Sequence, residues 1–370
     1  MTRYAHIVGW GMSVPRRVLT NGDLAQMVDT SEDWILSRTG IRERHIAEPD
    51  QTTASLATDA ARQALLLAGL TPLQIDLIIV ATSSPEHIFP ATACLVQDRL
   101  GATHAGAFDL SAACTGFIYA LAVATQMIAT GGYERALVIG AETLSRIVNW
   151  QDRATCVLFG DGAGAFVLQA SAQEGGLLAH TMHSDGSGGD LLSLPAGGSR
   201  FPTSKETVEK GLHYVSMNGP EVYRFATRVM VSATREVTRK AGIRLRDIDR
   251  IVPHQANLRI IEMAAKSLGL PLERFVVNVD RYGNTSTASI PIAVCEAVEA
   301  GKIKPGNRIV LVGFGAGLTW GSAMIEWVIA GQGRQAAWWR SGFFLLRILA
   351  RMRSWLLQAQ RRVESFFWRG

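Results

Sequence analysis

The most constraining feature of this chain is that one order of predicted elements occurs twice. Each half has an apolar strand, a helix ending at a Leu-Gly pair, a second strand and a closing strand. In the first half these elements lie, in order, at residues 76–82, 89–100, 106–110 and 136–140. In the second half the strands lie at residues 250–254, 275–279 and 308–313, and the helix between the first two strands ends at residue 268. Four elements in the same order indicate an internal duplication. The apolar run at 76–82 is unbroken, as is typical of parallel sheets. We therefore predict a layered α/β body with halves at residues 1–170 and 171–330.

Three polar residues follow predicted strands in the two halves: Cys114, His254 and Asn284. The stretches 82–114 and 254–284 are nearly equal in length, so we expect Asn284 to mirror Cys114. In α/β folds of this kind, reactive groups gather beyond the carboxyl ends of the strands. The three side chains are therefore predicted to converge on one site.

Cys114 lies in a predicted strand–turn–helix segment, with an apolar helix over 117–129 directly after it. Unpaired N–H groups and the positive end of the helix dipole favour the thiolate of a cysteine at a helix N-terminus. The alternative is a small cysteine buried under the helix, which is a common position for a free cysteine. The presence of His254 and Asn284 favours the reactive interpretation.

A Cys/His/Asn set serves two kinds of chemistry. In amide hydrolysis the histidine is the base for the thiol, and the asparagine orients the histidine. In carbon–carbon bond formation the cysteine carries an acyl group, while His and Asn donors hold the oxyanion of a decarboxylating malonyl unit. A papain-like nucleophile lies in a Cys-Gly-Ser-Cys-Trp segment, whereas Cys114 lies in Ser-Ala-Ala-Cys-Thr-Gly. This difference favours carbon–carbon bond formation over amide hydrolysis.

The glycine-rich segment 159–165 invites a nucleotide-binding interpretation. No Lys-Ser or Lys-Thr pair follows it, and it leads into a strand, whereas phosphate-binding loops open a helix. We therefore predict a backbone turn in which only glycine fits.

Four segments carry a likeness to a known family: residues 108–116, 253–259, 283–286 and 314–322. Together they resemble the β-ketoacyl-acyl carrier protein synthase III family, the initiating condensing enzymes of type II fatty acid synthesis within the thiolase superfamily. The likeness extends from about residue 4 to residue 328. It implies a thiolase-like five-layered α-β-α-β-α fold and a homodimer, in agreement with the duplication.

The resemblance implies a condensation in two stages. Cys114 takes the acyl group of an acyl-CoA primer and releases CoA, with the N–H groups of Cys114 and Ala316 as the oxyanion hole. His254 and Asn284 then stabilise the enolate of malonyl-acyl carrier protein as CO2 leaves, and the product is 3-oxoacyl-acyl carrier protein. No metal and no cofactor are implied. Ala316 stands where the family more often has glycine, and little change is expected because the contact is through the backbone.

The resemblance also implies binding residues for both substrates. The family's CoA-contacting positions match Thr30, Trp34, Arg38, Arg153 and Asn257. Docking of the acidic acyl carrier protein carries over to Arg259, Arg224 and Lys266.

Two further positions matter for substrate binding. Pro220 stands where the family often has an amide side chain that contacts CoA, so this contact is absent from the match. Phe89 matches the residue that closes the acyl pocket of the partner subunit and limits primer length.

The cysteines and the charged residues indicate the compartment and exclude some classes of binding partner. The four cysteines are far apart and form no Cys-x-x-Cys pair, which argues against a disulfide framework or a zinc site and favours a reducing compartment. The first residues contain no long apolar run, so no secretory signal is expected.

The formal net charge of +5 comes from residues 331–370. This segment holds eight arginines and one acid, and the remainder of the chain has a net charge of −2. We therefore predict a cytoplasmic protein that binds no nucleic acid.

Residues 331–370 lie beyond the family likeness and form a basic Arg/Trp-rich extension. Polar residues recur there at helical spacing on one face: Arg340, Arg347, Arg351, Ser354, Gln358, Arg362, Ser365 and Arg369. No uncharged run approaches the roughly 20 residues of a spanning helix. One hypothesis places this amphipathic helix on an anionic membrane surface, peripheral to the inner membrane. The alternatives are a helix docked on its own enzyme or a partner, and a poorly ordered extension.

Two other functions stay open at this point. The first is a related enzyme that condenses or transfers acyl groups in secondary metabolism, including polyketide starter units. The second is a non-catalytic scaffold homologue, against which the intact Cys114, His254 and Asn284 argue.

Overall fold

The computed structural model describes residues 3–328 and, beyond them, residues 352 and 356. The strands of the described part are β1 (Tyr4–Ser13), β2 (Val18–Thr20), β3 (Glu43–His45), β4 (Leu77–Ala81), β5 (Gly106–Leu110), β6 (Arg135–Thr143), β7 (Asp161–Ser171), β8 (Gly176–Ser184), β9 (Leu192–Ser193), β10 (Ser216–Met217), β11 (Arg250–Pro253), β12 (Arg308–Gly315) and β13 (Thr319–Glu326).

The α-helices of the described part are α1 (Asn21–Met27), α2 (Glu32–Thr39), α3 (Thr53–Ala68), α4 (Thr92–Leu100), α5 (Gly116–Ala129), α6 (Lys205–Glu209), α7 (Gly219–Lys240), α8 (Leu258–Leu268), α9 (Val279–Tyr282) and α10 (Ser289–Glu299). Short 3-10 helices lie at Pro72–Gln74, Ala113–Thr115, Leu144–Arg146, Gly186–Leu191, Leu245–Asp247, Leu272–Arg274 and Ser286–Ala288.

Three apolar cores separate the layers of the molecule. Alternate residues of β4 face opposite ways, so that Leu77 and Ile79 lie in a middle core and Ile78 and Val80 in an outer core. The outer core packs α3 and α4 on the first sheet, and the middle core holds α5 and α10 between the two sheets. A third core packs α7 and α8 on the far face of the second sheet. The layer order is therefore α-β-α-β-α, as predicted.

The two sheets share the order of four strands, and within the described residues the second sheet has no counterpart of β5. The first has the strand order β1-β7-β6-β4-β5, and the second has the order β8-β13-β12-β11. Both sheets contain a parallel pair (β4 with β6, β11 with β12), and the two pairings that lead from it to β1 or to β8 are antiparallel. This match supports the internal duplication, while the division of the chain after residue 170 stays a prediction.

The predicted strand at 275–279 is wrong. Only Phe275 makes a bridge, to Ile251, and α9 begins at Val279. The side chain of Gln255 explains the difference, because its amide donates to the Val276 carbonyl at 3.0 Å and its oxygen accepts from the Asn278 N–H at 3.0 Å. A side chain thus takes the backbone groups that a strand partner would use.

The predicted helix over 89–100 begins only at Thr92. Both oxygens of the Asp109 carboxylate accept backbone bonds there, from the Thr92 N–H at 2.6 Å and the Ala93 N–H at 2.8 Å. Asp109 lies in β5, so the helix start is fixed by a residue distant in sequence.

The glycine-rich segment is not a turn. Gly162 and Gly164 lie inside β7, and neither has a positive φ. They are needed for close packing, since a Cβ on Gly164 would lie 2.6 Å from the Cβ of Pro291 in α10. Glycine is required in this segment, as predicted, but because a side chain would clash with a neighbouring helix and not because the backbone turns there.

The predicted tail helix over 331–370 lies outside the described residues, except for Met352 and Leu356, which are helical and exposed. Within the part of the chain that the structure describes, no helix has both the length and the apolar character needed to cross a bilayer.

Candidate active site

Cys114 lies in a tight connection between β5 and α5. The 3-10 turn Ala113–Thr115 leads directly into the helix, and Ala113 has a φ of 46°, which is rare for a residue with a Cβ. The hydroxyl of Thr115 lies 2.7 Å from that of Thr319, which in turn donates to the Ala112 carbonyl at 3.1 Å. This bonding to β13 of the other half holds a strained turn in place.

The second half has a turn of the same kind. The 3-10 turn Ser286–Ala288 leads into α10, and Ser286 has a φ of 47°. Since both turns enter their helices in the same way, Thr287 occupies the place of Cys114. The expectation that Asn284 mirrors Cys114 is wrong by three residues, although Asn284 still reaches the site.

His254 follows β11 and is buried. Its Nδ1 lies 2.7 Å from the Ser289 hydroxyl, and that hydroxyl also accepts from the Gln255 N–H at 3.4 Å. With the Gln255 N–H on one lone pair, the Ser289 hydroxyl is free to donate its own proton to Nδ1, and in that tautomer Nε2 carries the ring proton. Burial lowers the pKa of His254 to about 3, so the ring is neutral at physiological pH.

Asn284 is held through its backbone and through one side of its amide. Its N–H donates to the Leu158 carbonyl at 2.8 Å, and its carbonyl accepts from the Gly160 N–H at 3.0 Å. The side-chain oxygen accepts from the Ser286 N–H at 2.9 Å. The NH2 group of Asn284 is thus oriented as a donor, like Nε2 of His254.

The structure brings the three predicted catalytic residues together. Cys114, His254 and Asn284 line one cavity of about 140 Å³, which Asn257, at the N-cap of α8, also lines. Two of the three groups are hydrogen-bond donors and the third is a thiol, a set suited to holding an oxyanion beside a nucleophile.

A second cavity of about 100 Å³ lies on another side of Cys114. Its wall is mostly apolar and includes Leu144, Phe159 and Ala316. Gly315 makes the approach of β12 possible, because a Cβ there would lie 2.7 Å from the Cys114 nitrogen. The backbone of 315–316 therefore runs directly beside the nucleophile.

The prediction that the helix start favours the Cys114 thiolate is wrong for the resting chain. Burial is the main cause that raises the pKa of this thiol to about 12, and the charge of Glu142 also raises it. A hydrogen bond with Ser286 lowers the pKa of the Cys114 thiol, but by less than burial raises it. Only 7% of Cys114 is exposed, and desolvation of the thiolate outweighs the helix dipole.

The predicted CoA-binding residues cluster at the first helices. The Arg153 guanidinium lies 5.1 Å from the centre of the Trp34 ring. The Asn257 side chain donates to the Arg38 carbonyl at 3.0 Å, and the buried Thr30 hydroxyl has no hydrogen-bond partner in the described structure. Of the five, Asn257 lies in the wall of the cavity that contains Cys114, and it contacts Arg38.

The predicted carrier-protein residues lie on two packed helices. Arg224 on α7 and Arg259 and Lys266 on α8 are exposed. The Arg259 guanidinium lies 5.8 Å from the centre of the Tyr223 ring, and Tyr223 lines the cavity with Cys114. Arg224 makes an ion pair with Glu221.

The structure also places Pro220 and Phe89. Pro220 is in the first turn of α7, where proline is well accommodated because its missing N–H has no helical partner. Phe89 is 85% exposed and lies outside both cavities of its own chain.

Sequence reasoning missed the residues that support the catalytic three. Ser289 orients His254, Ser286 orients Asn284, and Glu142 is a fully buried acid behind the Cys114 turn. A signal for Glu142 was present, since it directly follows the apolar run 136–141 that forms β6. Within the described residues, no cluster of three His, Cys, Asp or Glu side chains could hold a metal ion.

Two family models match the sequence. Residues 108–186 match the model described as 3-oxoacyl-[acyl-carrier-protein] synthase III, and residues 238–327 match the model of the C-terminal part of the same enzymes. These matches include Cys114, His254, Asn284 and Ala316.

Relatives agree with these models. Beta-ketoacyl-[acyl-carrier-protein] synthase III of Symbiobacterium thermophilum is 59% identical over 321 residues, covering 87% of this chain and 97% of that protein. The crystal structure of the synthase III of Thermus thermophilus is 47% identical, covers 88% of this chain and all of its own, and has a TM-score of 0.81. The priming beta-ketosynthase of a polyketide pathway has a TM-score of 0.81 at 37% identity, covering 88% of this chain and 96% of its own. This lower identity disfavours the alternative in secondary metabolism. The chain belongs to the 3-oxoacyl-[acyl-carrier-protein] synthase III family, whose members are condensing acyltransferases.

Proposed function

We propose that this acyltransferase condenses an acyl-CoA primer with malonyl-acyl carrier protein, giving 3-oxoacyl-acyl carrier protein, CoA and CO2, and so initiates fatty acid synthesis. The observation that carries the proposal is that Cys114, His254 and Asn284 line one cavity although they come from distant parts of the chain. No metal or cofactor takes part, since the two substrates supply all reacting groups.

In the first stage Cys114 is the nucleophile. Its sulfur attacks the thioester carbonyl of the primer, the bond to the CoA sulfur breaks, and CoA leaves with the proton of the thiol. The N–H groups of Cys114 and Ala316 hold the oxyanion. This role is supported by the close approach of the 315–316 backbone to Cys114.

In the second stage His254 and Asn284 are donors. The Nε2–H of His254 and the NH2 of Asn284 hold the thioester oxygen of the malonyl group while its C–CO2 bond breaks. The resulting enolate carbon attacks the carbonyl of the acyl-cysteine, the C–S bond breaks, and the Cys114 sulfur leaves as a thiolate that takes a proton from water. A neutral histidine suits this role, because its Nε2–H donates a hydrogen bond without adding a buried charge.

The substrates reach the site along two surfaces. The Trp34 ring stacks on the adenine of CoA, and the Arg153 guanidinium pairs with its phosphates. Thr30, Arg38 and Asn257 lie along the path of the CoA molecule. Arg224, Arg259 and Lys266 attract the acidic carrier protein to the same cavity mouth. With Pro220 at its helix start, the chain lacks one side-chain contact to CoA.

The active form is a homodimer in this proposal. β5 is an edge strand with partly exposed side chains, including Phe108, and open strand edges favour pairing. The exposed Phe89 would close the apolar cavity beside Cys114 in the partner subunit and so limit primer length. Light scattering should give twice the mass of one chain, and a single-chain mass would contradict the dimer.

We place the enzyme in the cytoplasm, with residues 331–370 as a peripheral contact to the inner membrane. The support is the helical spacing of the arginines opposite Trp and Phe side chains. Flotation of the full chain with anionic liposomes, but not of a chain ending at residue 330, is the expected result. Equal flotation of both would rule out the membrane role.

The test of the reaction separates its two stages. His254→Ala and Asn284→Ala should each lower condensation about 100-fold or more, because each removes one oxyanion donor, while acylation of Cys114 continues. His104→Ala is the matched control, since His104 is exposed. Full condensation activity in either cavity variant would contradict the assignment.

A further inference from the structure

The turn that carries Asn284 is short, and one carboxylate on a neighbouring helix holds it. α9 has only 4 residues, and Asn284 follows it after Gly283. A single helical turn is unstable without other contacts, because few hydrogen bonds offset the entropy of fixing its backbone. The group that holds α9 is Glu296 of α10, which has no part in the two stages described above.

Glu296 accepts four hydrogen bonds, all of them from the segment before Asn284. Two NH2 groups of the Arg281 guanidinium donate to its two oxygens, at 2.6 Å and 3.0 Å. The Tyr282 hydroxyl donates at 2.7 Å, and the side-chain amide of Asn278 donates at 2.8 Å. A carboxylate has about four acceptor sites, so all of them are used, and the forked pair with arginine fixes its orientation.

This cluster differs from an ordinary surface ion pair. Asn278 and Tyr282 are buried, and only 17% of the Glu296 side chain is exposed. Most of α10 is also buried, between the two sheets. Glu296 therefore ties the turn before Asn284 to a helix that is fixed in the centre of the molecule.

The same network reaches His254 from the side of β11. Gln255, the next residue, is buried, and its side-chain oxygen accepts from the Asn278 N–H at 3.0 Å. Its side-chain amide donates to the carbonyls of Pro253 at 2.8 Å and Val276 at 3.0 Å. Asn278 thus links the carboxylate to the residue beside His254.

α10 also connects the two donors of the second stage. Ser289 begins this helix, and its hydroxyl lies 2.7 Å from Nδ1 of His254. Glu296 follows about two helical turns later and holds the turn of Asn284. One helix therefore contacts the ring of His254 at its start and the Asn284 turn near its end.

We propose that Glu296 is a positioning residue that fixes the Asn284 turn to α10 and so sets Asn284 relative to His254. The inference rests on the proposed function, in which these two side chains hold the malonyl oxygen. Glu296 lines neither cavity at Cys114, so it acts through the turn and not on a substrate. Acylation of Cys114 uses backbone donors and depends much less on Glu296.

The test measures both stages in Glu296→Gln, as CO2 release from malonyl-carrier protein and as labelling of Cys114 by acyl-CoA. The new amide cannot accept from all four donors, since one of its two polar atoms is itself a donor. The kcat of decarboxylation should fall about tenfold, because a slightly misplaced oxyanion donor is costly. The KM for malonyl-carrier protein and the labelling of Cys114 should each change by less than about twofold, because neither uses the position of Asn284.

Asp247→Asn is the matched control. Both oxygens of Asp247 bind the guanidinium of Arg244, but this pair precedes β11, at the end of the strand away from His254. The control variant should keep both stages.

Tyr282→Phe keeps the test valid if Glu296→Gln fails to fold, because it removes a single bond to the carboxylate. It should lower the same kcat by a smaller factor and leave the labelling of Cys114 unchanged. Equal falls in both stages, or unchanged decarboxylation in a folded Glu296→Gln or Tyr282→Phe, would overturn the inference.

Hydrogen exchange tests the clamp without any substrate. The Gly283 N–H donates to the Val279 carbonyl at 3.0 Å, and the Asn284 N–H donates to the Leu158 carbonyl at 2.8 Å. Both amides should exchange faster in Glu296→Gln than in the wild type or the control variant. Unchanged exchange would contradict the inference even in an inactive chain, whereas a wild type that performs neither stage would count against the proposed function.

Discussion

The Ser289 hydroxyl lies 2.7 Å from Nδ1 of His254 and joins the start of α10 to the end of β11. When the hydroxyl donates to Nδ1, the ring proton is on Nε2. The direction of this bond therefore decides whether His254 can donate from Nε2 to a developing oxyanion.

Ser289→Ala should lower the rate of malonyl decarboxylation about tenfold. Loss of one buried hydrogen bond costs about 1–1.5 kcal/mol, and a tenfold change in rate is about 1.4 kcal/mol. Acylation of Cys114 should change less, because it does not use the Nε2 donor. Release of CO2 from malonyl-carrier protein and labelling by acyl-CoA measure the two stages. Ser289→Thr keeps the hydroxyl and should restore most of the decarboxylation, and an equal fall in both stages would contradict the orienting role.

His254 should make the fold less stable in acid. Its pKa is about 3 when folded and near 6.5 when unfolded, so the unfolded chain binds more protons between these values. Stability from this group is full above pH 6.5 and is lost as the pH falls toward 3. The stability difference between wild type and His254→Gln should therefore narrow by about 2 kcal/mol between pH 7 and pH 4.5. Urea unfolding at both pH values measures this, and a constant difference would show that His254 does not titrate as described.

Gly164→Ala should destabilise the fold by about 1–3 kcal/mol. Its new Cβ would lie 2.6 Å from the Cβ of Pro291, and neither β7 nor α10 can move freely in the middle of the molecule. Gly198→Ala is the control, because nothing lies within 4 Å of its added Cβ and its φ is not positive. Urea unfolding of the two variants should separate them, and equal stabilities would refute the packing argument.

The repeated pattern predicted the layers because apolar strands such as β4 must bury both faces. It also placed Cys114, His254 and Asn284 at strand ends, where an α/β fold brings them together. The absence of a strand at 275–279 was not predictable, because Gln255, from another segment, takes the backbone groups of Val276 and Asn278 with its side chain. Contacts of this kind depend on tertiary structure and leave no local pattern.

The same limit applies to the ionisation of Cys114. A helix start can be read from the residues, but the burial that dominates the pKa of the Cys114 thiol comes from distant parts of the chain. Ser289 and Ser286 are ordinary turn and helix residues in the sequence. Their roles follow only from their contacts with His254 and Asn284.

The central claim is that Cys114 carries the acyl group. The most direct measurement is incubation of the chain and of Cys114→Ala with radiolabelled acyl-CoA, followed by peptide mapping of the bound label. We predict one acyl group per wild-type chain, bound as a thioester at Cys114, and none on the variant. Label retained by Cys114→Ala, or mapped to Cys94 in the wild type, would contradict the account.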